Sequence, residues 1–224
     1  MGNSERVRDY TKRPITTAIF DVGGVLINQH PKAQNEAVIE TICLETPKDR
    51  ERYYALWHGQ KLSSQYHRGR ITNPKAALEF YDLTGINLLA DRQPDDSPLV
   101  KVSKSMTAKS EVLTIVAQLS GIGVTPVVLS NSMQAGDVLR DLGIYDHFHE
   151  EHLVFSHKIG MLKPDREIYE HTLERAAVDD PADAVFWDDV DKNVAGANEV
   201  GIHGRLFKDE ETILADLREL GVVL

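Results

Sequence analysis

Residues 17–28 read Thr17-Ala18-Ile19-Phe20-Asp21-Val22-Gly23-Gly24-Val25-Leu26-Ile27-Asn28. The apolar run Ala18, Ile19, Phe20 ends abruptly at an acid, and glycines follow at 23 and 24. A buried strand that stops at a tight turn has this pattern. Such a strand end presents the Asp21 carboxylate from a rigid support, and the glycines let backbone approach a ligand closely. Two residues beyond Asp21 the chain carries Gly23, which has no side chain to offer.

Three further apolar runs end in polar clusters. Val124 to Leu129 leads into Ser130-Asn131-Ser132, Leu153-Val154-Phe155 into Ser156-His157-Lys158, and Ala184 to Trp187 into Asp188-Asp189. Helical patterns lie between them. Val112, Ile115, Val116 and Leu119 recur at helical spacing before Gly121, and 133–142 is closed by Gly143. Pro164 is placed at the first turn of a helix over 164–177, where its missing N–H costs nothing. Helices over 191–200 and 210–220 are closed by Gly201 and Gly221. Strands alternating with helices predict a parallel sheet, an α/β fold whose functional groups gather at the carboxyl ends of the strands.

Residues 28–105 break the alternation. They hold helical stretches at 33–44, 49–57 and 74–81 with no convincing strand, and Asn73-Pro74 is a good helix start. Inserted directly after the Asp21 strand, this segment is expected to form a small helical cap over the sheet's carboxyl edge. The core then comprises 15–27 and 106–224, and Asp91 to Ser97 is a loop returning to it.

The chain has 224 residues, 42% of them hydrophobic and 27% charged, enough for one sizeable core with an insertion. A net charge of −10 gives no invitation to nucleic acid or an anionic membrane surface. The single cysteine, Cys43, excludes an intramolecular disulfide and a cysteine-built metal site, and its apolar neighbours mark it as a core residue. No apolar stretch approaches the roughly 20 residues needed to span a bilayer. Residues 1–14 are polar with charges of both signs and are expected to be a flexible tail; the protein is expected to be cytoplasmic. Its oligomeric state is left open.

Asp188 and Asp189 are adjacent acids at a strand end, and adjacent carboxylates repel unless a cation or solvent screens them. A hard cation such as Mg²⁺ takes one or two carboxylates, accepts backbone carbonyls and keeps waters. Asp189 is therefore read as a metal ligand, whereas Asp191 is read as the cap of the helix that follows. Ser130 and Asn131 stand at a strand-to-helix junction, where a hydroxyl and free N–H groups form either a phosphate cradle or an ordinary cap. Lys163, fixed just before a helix, can offset the charge of a phosphate and a carboxylate together; alone it would be a solvated surface lysine.

Taken in order, the four clusters resemble the four motifs of the haloacid dehalogenase (HAD) superfamily of aspartate-nucleophile hydrolases. Phe20-Asp21-Val22-Gly23-Gly24-Val25 resembles motif I and Val128-Leu129-Ser130-Asn131 motif II. Lys163-Pro164-Asp165-Arg166-Glu167-Ile168-Tyr169 resembles motif III, and Phe186-Trp187-Asp188-Asp189 through Asn193 and Gly196-Ala197 motif IV. The likeness runs from about residue 16 to the C-terminus and implies a three-layer Rossmann-like core. His67-Arg68-Gly69-Arg70-Ile71-Thr72 resembles the turn before a cap helix in the subgroup holding sugar-phosphate phosphatases and the N-terminal phosphatase domain of epoxide hydrolases. The resemblance implies that Asp21 attacks phosphorus, and that Mg²⁺ is held by Asp21, the Gly23 carbonyl and Asp189, with Asp188 and Asn193 near its water shell. It also implies that Ser130, the backbone around Asn131, and Lys163 hold the phosphoryl oxygens of a small phosphorylated substrate such as a sugar phosphate.

Typical phosphatases of this superfamily carry an acid at the position of Gly23, where it protonates the leaving oxygen. Such help is worth roughly 10²- to 10⁴-fold. Gly23 leaves three readings. The chain is a phosphatase whose proton comes from water, substrate or another residue (His30 is the nearest by sequence), or whose leaving group needs the acid less. The resembling subgroup includes members with Gly here that are regarded as glucose-1-phosphate-type phosphatases, which supports this reading. Alternatively it is a metal-independent 2-haloacid dehalogenase, whose halide needs no proton, though Asp188-Asp189 argues against that. The third reading is a catalytically weak binding or regulatory protein. His147, His149, His152 and His157 show no convincing metal spacing and are read as surface or loop residues. Trp57, His58, His67, Arg68 and Arg70 lie in the segment expected to select substrate.

Overall fold

The computed structural model describes residues 14–28, 37–42, 44, 46–90, 95–132, 139–140 and 143–224. Residues 1–13 of the tail, His30, Cys43, most of the helix expected over 133–142, part of the helix expected over 33–44 and part of the loop expected over 91–97 lie outside the described residues.

Five parallel strands form one sheet in the order β3-β2-β1-β4-β5: β1 Thr17–Phe20, β2 Thr125–Ser130, β3 Leu153–Phe155, β4 Ala184–Asp188 and β5 His203–Leu206. Side chains alternate between the two faces of a strand, and here both faces are buried. Ala18, Phe20, Val128, Val185 and Trp187 join one apolar cluster, and Ile19, Val127, Leu129, Ala184 and Phe186 join the other. That double burial is why β1, β2 and β4 read as continuous apolar runs.

Helices cover each face. The first cluster takes in α5 (Ser110–Gly121) through Val112, Ile115, Val116 and Leu119, and α9 (Glu210–Glu219) through Ile213 and Leu217. The second takes in α7 (Arg166–Arg175) through Ile168, Tyr169 and Leu173, and Ala197 of α8 (Asp191–Glu199). The result is the expected three-layer α/β arrangement. No described helix is long and apolar enough to cross a membrane.

Between β1 and α5 lie α1 (Pro47–Tyr54), a π-helical turn (Ala55–Gly59), α2 (Leu62–His67), α3 (Pro74–Thr84) and α4 (Pro98–Lys104), with further helix at 37–41. Asn73 caps α3 as expected, its side chain accepting from the Ala76 N–H at 3.2 Å. α2 and α4 were not foreseen, because helices of six and seven residues show too few turns for a period to stand out. β5 was missed as well: Gly204 and Arg205 interrupt any apolar run on this edge strand.

Two helix starts differ from expectation. α7 begins at Arg166, not Pro164, because the preceding turn is held by the Asp165 N–H donating to the Leu162 carbonyl (2.8 Å) and by Asn131. Asp191 is the first residue of α8 and not its cap. Val190 stands in the cap position, and its N–H is taken up by Asp188 Oδ1 at 2.9 Å.

The inserted helices are fastened to the core after β3. Ser156 Oγ donates to the His67 carbonyl (2.6 Å), Arg68 donates to the Gly160 carbonyl (3.2 Å), and Arg68 pairs with Asp165. Gly69 sits between them with φ +65°, and a Cβ there would lie 2.1 Å from the His157 carbonyl oxygen. Glycine meets both the left-handed backbone and the close approach. Gly69→Ala is therefore expected to lower stability by about 1–3 kcal/mol, read as an earlier urea midpoint at unchanged slope.

Candidate active site

Strand register brings the separate clusters to one level. Phe20 pairs with Val128 on one side and Trp187 on the other, so the next residues along, Asp21, Leu129 and Asp188, stand side by side. The Asp21 N–H donates to the Trp187 carbonyl at 2.9 Å and carries the strand alignment one residue further. By alternation, Asp21, Leu129 and Asp188 face the same side as Ile19, Val127 and Phe186, the side covered by α7 and α8.

Lys163 enters from that side. Its ammonium donates to Asp21 Oδ1 (2.8 Å), Asp188 Oδ2 (2.7 Å) and the Leu129 carbonyl (2.9 Å), which uses all three of its donors. Lys163 is 2% exposed and Asp188 0%, so this is a buried charge cluster and not the surface lysine of the bland alternative. Asn131 holds the lysine backbone on both sides: its Nδ2 donates to the Lys163 carbonyl and its Oδ1 accepts from the Lys163 N–H, each at 2.9 Å. The Asn131 side chain is thereby fully engaged in placing Lys163, and its backbone is what remains to face a ligand.

Asn193 Nδ2 donates to both oxygens of Asp188 at 3.0 Å, while its own Oδ1 is buried with no hydrogen-bond partner. The Tyr169 hydroxyl donates to the Asn193 carbonyl at 2.7 Å and steadies the start of α8. Gly196 lets α8 come against the turn beneath it, since a Cβ there would lie 2.9 Å from the Pro164 carbonyl oxygen. This is the physical content of the glycine in the fourth motif.

Asp189 lies against the Gly23-Gly24 turn. Gly24 has φ +77°, and a Cβ at that position would lie 2.2 Å from Asp189 Oδ2. Oxygens of Asp21, Asp188 and Asp189 lie within 4.8 Å of one another. Burial pushes the Asp21 carboxyl up to about 7; the Lys163 ammonium opposes that shift and the Asp188 charge adds to it. Burial also works against the charge on Lys163, but Asp188 and Asp21 more than offset it and hold its pKa above the ordinary lysine value. Three carboxylates set against the Lys163 ammonium and the Lys109 ammonium near Asp189 leave negative charge suited to a hard divalent cation.

Lys109 was missed in the sequence. Its ammonium donates to the Gly24 carbonyl at 2.6 Å and lies near Asp189, with burial lowering its pKa. It reaches the turn because Ala108 bridges to Ile27 and the Lys109 N–H donates to the Leu26 carbonyl (2.9 Å). A lone lysine before a helix gives no sequence signal for such a contact. His157 differs from a bare loop residue, since its Nδ1 lies 2.9 Å from Ser132 Oγ.

A cavity of about 480 Å³ opens onto this cluster. Asp21, Gly23, Ser130, Asn131, Lys163 and Asn193 line its core end, and Trp57, His58 and His67 line it from the inserted helices. Arg68 and Arg70 do not line it; Arg68 is spent on fastening.

Residues 15–201 match the haloacid dehalogenase-like hydrolase family, and the chain belongs to that family. It is 26% identical to the sesquiterpene phosphatase astK of Aspergillus oryzae over 206 residues, covering 91% of this chain and 95% of that protein. It is 27% identical to rat bifunctional epoxide hydrolase 2 over 125 residues, covering 53% of this chain and 22% of that protein. Among solved structures, a HAD family enzyme of Bacteroides thetaiotaomicron in complex with magnesium and inorganic phosphate superimposes with a TM-score of 0.63 at 23% identity, covering 87% and 94% of the two chains. The L-2-haloacid dehalogenase of Xanthobacter autotrophicus shares the fold at a TM-score of 0.56 and 18% identity, covering 91% and 82%. The protein is a HAD-type hydrolase with phosphatase relatives.

Proposed function

We propose that this chain is a Mg²⁺-dependent phosphatase acting on a small phosphorylated compound through an aspartyl-phosphate, with 28–105 as the cap over a core of 15–27 and 106–224. The observation that carries the reading is the gathering of Asp21, Asp188 and Asp189, two of them bonded to the buried Lys163, with Asp21 and Lys163 lining the core end of a cavity.

In this reading Asp21, the Gly23 carbonyl and Asp189 hold the ion, and the buried, unpartnered Oδ1 of Asn193 is suited to accept from a water in its shell. Bound there, Mg²⁺ supplies positive charge against the phosphoryl oxygens. The remaining work falls to the chain itself. Lys163 fixes the Asp21 carboxylate in place and adds a positive charge beside the phosphoryl group, so catalysis is positioning plus electrostatics. Asp21 forms a bond to phosphorus while the ester P–O bond breaks. The leaving oxygen departs with its electron pair and takes a proton from water, because Gly23 has no group to move one. Water then attacks phosphorus, releasing phosphate and restoring the carboxylate. Ser130 and the Asn131 backbone, both at the cavity wall, are the proposed phosphate contacts.

A metal-free dehalogenase has no need of a third carboxylate, Asp189, set beside Asp21 and Asp188, which weighs against that alternative. The phosphatase reading is tested by a screen of sugar, alkyl and aryl phosphates with Mg²⁺ and with chelator, alongside halide release from 2-chloropropionate. Activity that survives chelator, or halide release without metal, would overturn it. Gly24→Ala is expected to displace Asp189 and to weaken Mg²⁺ activation by about 10- to 100-fold in half-saturating concentration, with turnover at saturating Mg²⁺ falling less.

A further inference from the structure

The cavity is divided by chemistry. Its charged lining residues among those described are Asp21, Lys163 and Lys192, all on the core at the sheet's carboxyl edge. The inserted helices contribute Tyr53, Trp57, Phe80, Ile86 and Leu99, each no more than 5% exposed. Tyr53, Trp57 and Phe80 stack on one another, with ring centroids 5.2 to 6.4 Å apart, so the aromatic wall is rigid.

Most polar lining groups on that side are already engaged, and the His58 ring stacks on Tyr54 with centroids 5.9 Å apart. Ser103 Oγ donates to the Leu99 carbonyl of its own helix at 2.9 Å, and Ser64 Oγ donates to the Lys61 carbonyl at 3.0 Å. Ser63 Oγ lies 3.4 Å from His67 Nδ1. Burial, with His157 nearby, holds the His67 imidazole down to about 4, so it is neutral at neutral pH. A sugar has several hydroxyls, and each one enclosed without a partner is penalised by about 1–3 kcal/mol. Among the described lining residues of the inserted helices no Asp, Glu, Asn, Gln, Arg or Lys is present to meet them. A hydrocarbon asks for no such partner and gains from every methylene it buries.

We infer that the phosphorylated compound is the monophosphate of an apolar alcohol, whose hydrocarbon group fills the chamber walled by Tyr53, Trp57, Phe80, Ile86 and Leu99 while its phosphate meets the acid cluster. This rests on the phosphatase reading and replaces the sugar phosphate expected from sequence. A cavity of about 480 Å³, at roughly 30 Å³ per water in the liquid, holds on the order of sixteen water volumes, ample for a phosphate and a long or polycyclic carbon group. The bond that breaks is the one between phosphorus and the alcohol oxygen; the alcohol leaves protonated by water, and inorganic phosphate follows.

The test compares wild-type enzyme with Mg²⁺ on a series of n-alkyl monophosphates, from about four to about twelve carbons, beside glucose 1-phosphate, glucose 6-phosphate and 4-nitrophenyl phosphate. The expected result is a rise in kcat/KM of roughly three- to fourfold per added methylene until the chamber is full, with both hexose phosphates far below the best alkyl substrate. Ser103→Leu narrows the chamber from α4 and is expected to move the optimum to shorter chains. A flat chain-length profile, or hexose phosphates hydrolysed best, would overturn the inference while leaving the phosphatase standing. The absence of turnover on every phosphate, the aryl ester included, would bring down the phosphatase reading and this inference together. The wild-type series decides the matter even if Ser103→Leu fails to fold.

Discussion

Asp21→Asn is expected to abolish phosphatase turnover, with a loss of at least about 10⁴-fold, in a protein that still folds. The amide is nearly the same size and leaves the strand end unchanged, but it cannot form the aspartyl-phosphate. In the proposed chemistry nothing nearby can stand in for it. Asp188 is fully buried and bonded to Lys163, Asn193 and the Val190 N–H, and Asp189 is held against Gly24. Folding should survive because Lys163 keeps Asp188 Oδ2 and the Leu129 carbonyl as acceptors. Steady-state kinetics with Mg²⁺ read the loss, and a thermal unfolding curve shows whether the fold is kept. Residual turnover within tenfold of wild type would remove Asp21 as the nucleophile.

The core and the acid cluster were legible because both rest on short-range patterns that survive projection onto one dimension. β1, β2 and β4 carry unbroken apolar runs (Ala18–Phe20, Pro126–Leu129, Ala184–Trp187) since both faces are covered, and each run leads to the residue that matters: Asp21, Ser130 or Asp188. The parallel order then forces those ends to one edge. Other parts depend on contacts that sequence spacing does not encode. Lys109 reaches Gly24 only because the Ile27–Ala108 bridge joins residues 81 positions apart in the chain. The role of Asn131 was half seen: its side chain is committed to the Lys163 backbone, a partner 32 residues away that no local motif announces. β5 went unseen because Gly204 is there for close packing, a Cβ at that position lying 2.6 Å from the Val194 carbonyl oxygen.

The chamber shows the same division. Trp57 was singled out within the expected cap, and helical periodicity marks apolar faces there, but an apolar face closes a core or lines a cavity with equal ease. Only the assembled structure shows the Tyr53-Trp57-Phe80 stack turned toward the site, with Arg68 and Arg70 directed elsewhere. The sugar-phosphate expectation came from family likenesses at Gly23 and at the turn over 67–72, neither of which supplies the apolar wall of the chamber. Gly23 speaks to the proton and the metal; the inserted helices speak to the carbon skeleton.

Lys163→Met should destabilise the core strongly. The substitution keeps much of the buried stem but removes the one positive charge that Asp21 and Asp188 share. Two carboxylates would then face each other, 7% and 0% exposed, with no cation between them. Breaking a buried ion pair by removing one partner costs about 3–5 kcal/mol, and the loss of Asp188's strongest contact would loosen the Val190 and Asn193 hydrogen bonds that start α8. The sign of the rescue follows from the charge. Added Mg²⁺, or a pH low enough to protonate one carboxylate, should restore part of the lost stability in the variant. The wild type, with its ammonium in place, should respond less to either. Urea unfolding of both proteins with and without Mg²⁺ reads the difference. A variant as stable as wild type in chelator at neutral pH would show that the acids do not depend on Lys163, and the electrostatic account of the site would fall with it.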